Sequence, residues 1–304
     1  MRELHLEERP ISLKQVVGQN DACRQLVALA KSDEGIPHCL LFTGPSGCGK
    51  TTLARITRDR LHCGDADFAE VNAADSRGID MVRSIASRVG LAPISGDVRV
   101  WLIDECHALT GDAQGAFLKL LEEPPDHVYF MLATTNPTKL RRTIRTRCTE
   151  IAVKAISEPE LAKLVARVAG DRGVTLTSAV AAKLAEVAEG SARKALVLLQ
   201  QVMGIADEAN QLAVLERADA KQAAIELARA ILARKGWPAV AAILRNCDEE
   251  PESIRWMMLS YFTKVALGGR GNDAAVAVME EFQDNFYDSK KAGLVIACYR
   301  ACKG

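Results

Sequence analysis

Short apolar runs alternate with longer amphipathic stretches through the first half of the chain. The runs are Cys39–Thr43, Phe68–Asn72, Val98–Asp104, Val128–Thr134 and Glu150–Val153. Each is rich in apolar or β-branched residues and is followed by turn or cap residues, as buried parallel strands are. Between them, helical periodicity predicts helices over Lys50–Leu61, Gly78–Arg88, Asp112–Glu122 and, shorter, near Thr138–Ile144. Strand–helix alternation of this kind predicts a parallel sheet with helices on both faces.

After Val153 the strand signal stops. Ser157–Gly170 reads as a helix, with Ser157 followed three residues on by Glu160, the pattern of a capping box. Ser178–Glu189 and Ser191–Met203 follow at helical period, separated by Gly190. From about residue 207 the chain is helical again, with breaks near Gly236–Pro238, Asp248–Pro251 and Gly268–Gly271. Its apolar stripes, such as Ile254, Met257, Met258, Tyr261 and Phe262, suffice for a further helical domain. The expected organisation is α/β plus all-α: an α/β domain over 1–153, a three-helix unit over 154–206 and a helical domain over 207–304. No internal repeat is visible.

Composition narrows the class without naming a function. With 304 residues, 48% hydrophobic and 26% charged, the chain is expected to form two or three ordinary globular domains. The formal net charge is zero, so any nucleic-acid contact has to come from a local patch or from helix ends. No apolar run approaches the roughly 20 residues that span a bilayer, and Met1–Pro10 is charged where a signal peptide is apolar. No membrane association and a cytoplasmic location are therefore expected. The nine cysteines include no C-x-x-C pair, which speaks against a zinc finger or ribbon. Cys298 and Cys302 share a helix face and read as core thiols.

The strongest chemical signal is Gly44-Pro45-Ser46-Gly47-Cys48-Gly49-Lys50-Thr51, followed by Thr52. It matches the G-x-x-x-x-G-K-[ST] phosphate loop, lies directly after a strand and opens a helix, which is the context the motif needs. Small residues let backbone N–H groups close around phosphates, and the helix N-terminus adds positive potential. Lys50 is expected to reach the β- and γ-phosphates of ATP and Thr51 to bind Mg²⁺. The second signal is Val98–Glu105, an apolar strand ending in two carboxylates. There Asp104 is expected to hold Mg²⁺ through water and Glu105 to polarise the attacking water. Asp104–His107 also matches the D-E-x-H box of a helicase superfamily, but those proteins need two sheet lobes and only one is legible here. His107 reads as a local structural residue.

The ordered series of the phosphate loop, Asp104-Glu105-Cys-His-Ala-Leu, Lys119-Leu-Leu-Glu-Glu-Pro-Pro125, Ala133-Thr-Thr and Thr146-Arg147-Cys148 resembles the AAA+ sliding-clamp loader ATPases. These are the small subunits of replication factor C and the bacterial DNA polymerase III gamma/tau subunits. The likeness runs from about residue 9 through Arg193. Leu121–Val128 looks bacterial, whereas Val71–Asp80 and Asp112–Gln114 look like replication factor C. The bacterial zinc insert after the phosphate-loop helix is missing, with only Cys63 there. The mixture and the length suit a virus-encoded loader, which would work in the host cytoplasm.

The resemblance implies further roles. Val16, Val17 and Gly18 would line the adenine pocket. Thr135 would be the first sensor and Arg193, in Gly190-Ser-Ala-Arg193, the second. Arg147 would reach a neighbouring subunit's ATP; a guanidinium suits transition-state charge on phosphoryl oxygens. Arg77 and Arg83 would track DNA phosphates beside a helix N-terminus, and Gln114 would relay DNA binding to the carboxylates. The implied architecture is an AAA+ domain, a three-helix lid and a helical collar that joins a pentameric ring. The implied function is ATP-driven opening of a sliding clamp and its closure on primer–template DNA. Two alternatives compete. A branch-migration type of DNA-remodelling motor would end in a winged helix with strands, for which residues 207–304 give no hairpin signal. A non-catalytic ring scaffold tends to lose the lysine or glutamate that this chain keeps.

Overall fold

The computed structural model describes residues 3–247, 250–268 and 272–303. The chain forms two compact units, Met1–Met203 and Gly204–Gly304. In the first, α1 (Leu4–Glu7) and α2 (Asn20–Lys31) precede β1 (Cys39–Thr43) and α3 (Lys50–Arg60). Then come β2 (Phe68–Asn72), α4 (Ile79–Val89), β3 (Arg99–Asp104), α5 (Gly111–Glu122), β4 (Val128–Thr134), α6 (Arg142–Arg145) and β5 (Thr149–Ala152). Helices α7 (Glu158–Gly170), α8 (Ser178–Val187) and α9 (Ala192–Val202) complete the unit.

The five strands form one parallel sheet in the order β2-β3-β4-β1-β5. Their near-continuous apolar runs follow from burial on both faces. In β1, Cys39 and Leu41 join the core shared with α4 and α5, while Leu40 and Phe42 join the core shared with α2 and α3. The same period of two divides β3, with Trp101 and Ile103 in the first core and Val100 and Leu102 in the second. All five predicted strands form, three with the expected bounds; β3 starts one residue later and β5 is shifted one residue back. The stretch near Thr138–Ile144 divides into a 3₁₀ turn, Pro137–Lys139, and α6.

Two predicted details differ. Ser157 does precede α7, but its hydroxyl donates to Glu160 Oε2 at 2.7 Å and accepts no backbone N–H, so the capping box is not made. The helix predicted over Ser178–Glu189 starts as expected, with Thr177 as its cap accepting from Val180 N, but ends two residues earlier, at Val187. Ser191 caps α9 as the pattern predicts, accepting from Lys194 N.

Gly204–Gly304 holds α10 (Glu208–Leu232), α11 (Trp237–Arg245), α12 (Pro251–Leu267), α13 (Asn272–Glu281) and α14 (Lys290–Ala301). Its described elements are all helical. Parts of two predicted breaks, residues 248–249 and 269–271, lie outside the described residues. Ile254, Met258, Phe262, Phe282 and Cys298 centre the core, while Cys302 is only half-buried. A buried ion pair fastens α12 to the turn after α13. Arg255 donates to Glu252 and to the carbonyls of Phe282 and Gln283, and Glu252 accepts from Phe286 N. Among the described residues no helix is long and apolar enough to cross a membrane.

Candidate active site

The strand order assembles the site. With β4 between β3 and β1, the C-terminal ends of three strands lie side by side. Each end carries a motif: the glycine-rich loop after β1, Asp104-Glu105 after β3 and Thr134-Thr135 at the end of β4. Ligands of open α/β sheets bind at such carboxyl ends.

The loop is shaped by its glycines. Gly44, Gly47 and Gly49 have φ of 145°, 73° and 106°, values that L side chains rarely adopt. Gly49 caps α3, so the first backbone N–H groups of that helix face the cavity without a side-chain cap. The buried Lys50 ammonium donates to Gly44 O at 2.9 Å and Pro45 O at 2.7 Å, which leaves one of its donors for a ligand. Burial lowers the Lys50 pKa, and the carboxylates of Glu105 and Asp104 oppose that shift. Burial raises the Cys48 pKa, so this thiol is a small packing group and not a reactive thiolate.

Thr51 Oγ1 donates to Asp104 Oδ2 at 2.8 Å, joining the loop to the strand-end carboxylate. Asp104 Oδ1 accepts from Glu105 N at 2.9 Å. Glu105 itself has φ 48° and ψ 40°. A left-handed non-glycine residue costs about 1–3 kcal/mol, and such strain gathers at functional sites. Thr135 Oγ1 donates to Glu105 Oε2 at 3.2 Å, so the sensor candidate meets the candidate base.

One cavity joins all of these groups except Thr135 to a cleft beside α7 and α9. Val16, Val17, Ile156, Leu164 and Leu196 supply an apolar part; Ser46 to Thr52, Asp104, Glu105 and Arg193 supply the polar part. Arg193 N also donates to Gly47 O at 3.3 Å. Gly18, Gly44 and Pro45, predicted as direct contacts, do not line this cavity. Gly18 instead makes the turn (φ 73°) at which a Cβ would strike Ile156, and Gly44 sits against the Val153 carbonyl. Gln19 holds the pocket together: its amide donates to Cys48 O and Lys154 O and accepts from Lys154 N.

Arg9 was not legible as a site residue, yet it lines the cavity with Lys50 and Arg193. Burial and the neighbouring Arg55 lower its pKa, Glu70 raises it, and Arg193 lowers it further. The segment that precedes it is tied down at two points. Arg172 bonds Glu7 and Glu8, and Leu4 N donates to Gln200 Oε1. The only sequence signal was a cation beside Pro10 in an otherwise unremarkable leader.

Four further candidates lie outside the cavity. Arg147 is exposed, paired with Glu122 Oε1 at 2.7 Å and donating to Thr143 O, so it does not serve this chain's own pocket. Arg77 and Arg83 are exposed where α4 begins; Arg83 pairs with Asp80, and Gly78 leaves the helix start without a side-chain cap. Gln114 is buried, donating to Leu109 O and Lys139 O and accepting from Arg141 N, which ties α5 to the segment that enters α6.

The sheet order, phosphate loop and strand-end acid pair define an AAA+ protein of the P-loop class. Thermotoga maritima RuvB, titled a Holliday junction branch migration motor, shares the fold at a TM-score of 0.60 and 23% identity, covering 77% of this chain and 84% of that one. Among proteins of known role, the chain is similar in sequence to the gamma/tau subunits of DNA polymerase III. A family model described as DNA polymerase III, delta subunit, matches residues 64–157. The gamma/tau subunit of Mycobacterium tuberculosis (strain ATCC 25618 / H37Rv) is 34% identical over 228 residues, 67% of this chain and 39% of that protein. The tau subunit of Escherichia coli (strain K12) is 34% identical over 222 residues, 66% of this chain and 34% of that protein. The gamma subunit of Buchnera aphidicola is 31% identical over 219 residues, 64% of this chain and 59% of that protein. The chain thus spans 34% to 59% of the length of these relatives.

Proposed function

We propose that this chain is an ATP-hydrolysing subunit of a DNA sliding-clamp loader. The observation that carries the reading is the convergence of Lys50, Thr51, Asp104, Glu105 and Thr135 on one sheet edge, in a chain similar to gamma/tau subunits. In this reading Val16, Val17, Ile156, Leu164 and Leu196 hold the adenine, and the N–H groups of residues 46 to 52 hold the phosphates. Lys50, Arg9 and Arg193 neutralise phosphate charge from three sides. The Thr51 hydroxyl and Asp104 carboxylate are hard oxygen donors, and with phosphate oxygens they suit Mg²⁺. Bound there, Mg²⁺ supplies charge neutralisation across the phosphates. Glu105 orients the attacking water and accepts its proton, and Thr135 holds the outer phosphate in line.

Helices α7–α9 act as the lid and Gly204–Gly304 as the collar of an oligomeric ring, pentameric by family resemblance. Arg147 completes the site of the adjacent subunit. The α4 N-terminus, with Arg77 and Arg83, faces DNA phosphates; uncapped N–H groups bind phosphate without net positive charge. Partners are the other loader subunits, the sliding clamp and primer–template DNA.

The test is steady-state ATP hydrolysis by the purified chain with primer–template DNA, with the clamp from the same source, and with both. Stimulation that needs both is expected. Stimulation by junction or plain duplex DNA alone would favour a remodelling motor, and ATP binding without turnover under every condition would favour a scaffold.

A further inference from the structure

His107 sits where the strand ends meet, and the site as described gives it no task. It lies in the 3₁₀ turn Cys106–Ala108, directly after the left-handed Glu105. Its Nδ1 is 3.2 Å from Glu105 Oε2 and 3.1 Å from Thr134 Oγ1. Thr134 is fully buried, and its Oγ1 accepts from Asn136 N at 3.0 Å. The imidazole therefore spans two strands, one of whose ends bears the candidate base and the other the candidate sensor.

The Thr134 hydroxyl can donate to Nδ1 or accept from it, so the Glu105 carboxylate decides between the two tautomers. An ionised carboxylate only accepts. If Nδ1 carried a lone pair, it would oppose the lone pairs of Glu105 Oε2 at hydrogen-bond distance. With a proton on Nδ1, the ring donates to Thr134 Oγ1 at 3.1 Å and turns the positive edge of its N–H toward Glu105 Oε2, 3.2 Å away. Glu105 Oε2 then accepts from Thr135 Oγ1–H and lies in electrostatic contact with His107 Nδ1–H. Among the described residues Oε1 has no hydrogen-bond or ion-pair partner, which leaves it for a water molecule. A carboxylate fixed by one oxygen and working with the other is held in a productive direction.

We propose that His107, as the Nδ1–H tautomer, is a positioning residue that anchors Glu105 Oε2 against the end of β4 and so aims Oε1 at the attacking water. The proposal rests on the reading of Glu105 as the base that activates water. It gives the histidine of the Asp104–His107 sequence a role beyond shaping its turn.

Two measurements test it. In protein carrying ¹⁵N-labelled histidine, spectra at about pH 8, above the usual histidine range, should show the His107 ring as the Nδ1–H tautomer. The signal is assigned by its loss in His107→Asn. In Glu105→Ala it should shift toward the Nε2–H form. A wild-type His107 in the Nε2–H form overturns the proposal whatever the activity is. In the second measurement, His107→Ala should lower kcat for ATP by about ten- to a hundredfold, with ATP affinity unchanged. His107→Asn, whose amide N–H takes the place of Nδ1–H, should recover most of the rate, whereas His107→Gln, which reaches the Nε2 position, should not. Wild-type turnover in His107→Ala, or equal behaviour of Asn and Gln, refutes it. Should His107→Ala fold poorly, the Asn–Gln pair and the spectra still decide. A wild-type chain without turnover would count against the proposed function, while the tautomer measurement continues to test the anchor.

Discussion

Gly47 shows how tightly single residues are specified in the phosphate loop. Its φ is 73°, and a Cβ there would lie 2.1 Å from Ser191 Oγ and 3.2 Å from Arg193 Cβ. Gly35 has nearly the same φ, 72°, with nothing within 4 Å of an added Cβ. Gly35→Ala is therefore expected to cost only the backbone penalty, about 1 kcal/mol, and to leave ATP affinity unchanged. Gly47→Ala should weaken ATP binding at least tenfold, because the loop must move off the Ser191–Arg193 segment. Titration of both variants with a fluorescent ATP analogue checks this; equal affinities would mean that the contact has no bearing on the pocket. Glu105→Gln is expected to keep ATP binding and to lose turnover by two orders of magnitude or more. DNA-stimulated hydrolysis surviving in that variant would falsify the assignment of Glu105. The glycines, Lys50 and the acid pair were legible because each belongs to a local strand-end turn. Arg9 and the role of His107 were not, since a lone cation or imidazole has no pattern until folding surrounds it.

Among the elements, the connection from α4 to β3 is held by a buried charge. Asp67, directly before β2, accepts from Ile94 N, Ser95 N and Ser95 Oγ, and from Arg99 Nη2 at 3.2 Å. Arg99 donates in turn to Arg88 O and Ala92 O. Burial alone would raise the Asp67 pKa, but these donors outweigh it and lower the value to about 2. A folded-state pKa below the unfolded value of about 3.9 stabilises the fold above that value, and the contribution is lost as pH falls toward about 2. Asp67→Asn leaves the nearly buried Arg99 without its counter-ion, and a loss of about 3–5 kcal/mol is expected at pH 7. The gap between variant and wild type should hold from about pH 8 to 5 and narrow below about pH 4. Urea unfolding across that range checks it, and a gap unchanged toward about pH 2 would remove Asp67 as its source. The sequence made the strands and helices plain through their periods of two and 3.6. It gave no hint of this brace, whose members meet only when β2 and β3 pair. The Ser157 cap failed for a related reason: a pattern names two side chains, while rotamers decide whether the hydroxyl accepts from the backbone or donates to the glutamate.

For the whole molecule, every residue lining the nucleotide cavity lies within Met1–Met203. A chain ending at Met203 is therefore expected to bind ATP as the full chain does, with any partner-dependent turnover lost. A binding titration on both tests this, and a truncated chain that folds yet has no ATP affinity would overturn it. Arg147 is exposed and bonded to Glu122, outside that cavity. Arg147→Ala should keep ATP affinity and lower turnover of the assembled protein by about 10³. Full turnover in the variant would mean that another residue reaches the neighbouring subunit's ATP.

By itself the sequence determined the strands of the sheet, the phosphate loop and the acid pair, because each is encoded by neighbouring residues whose spacing matches a backbone period or a turn. It also determined that the chain beyond Met203 is helical, through its apolar stripes and the breaks between them. Only the tertiary structure decided the strand order, which inserts β4 between β1 and β3 and so brings Thr135 onto Glu105 and Thr134 onto His107. It also decided that Arg9 from the amino-terminal segment shares a cavity with Arg193 of α9. Both depend on contacts between segments far apart in the chain, and no local pattern of side chains specifies those.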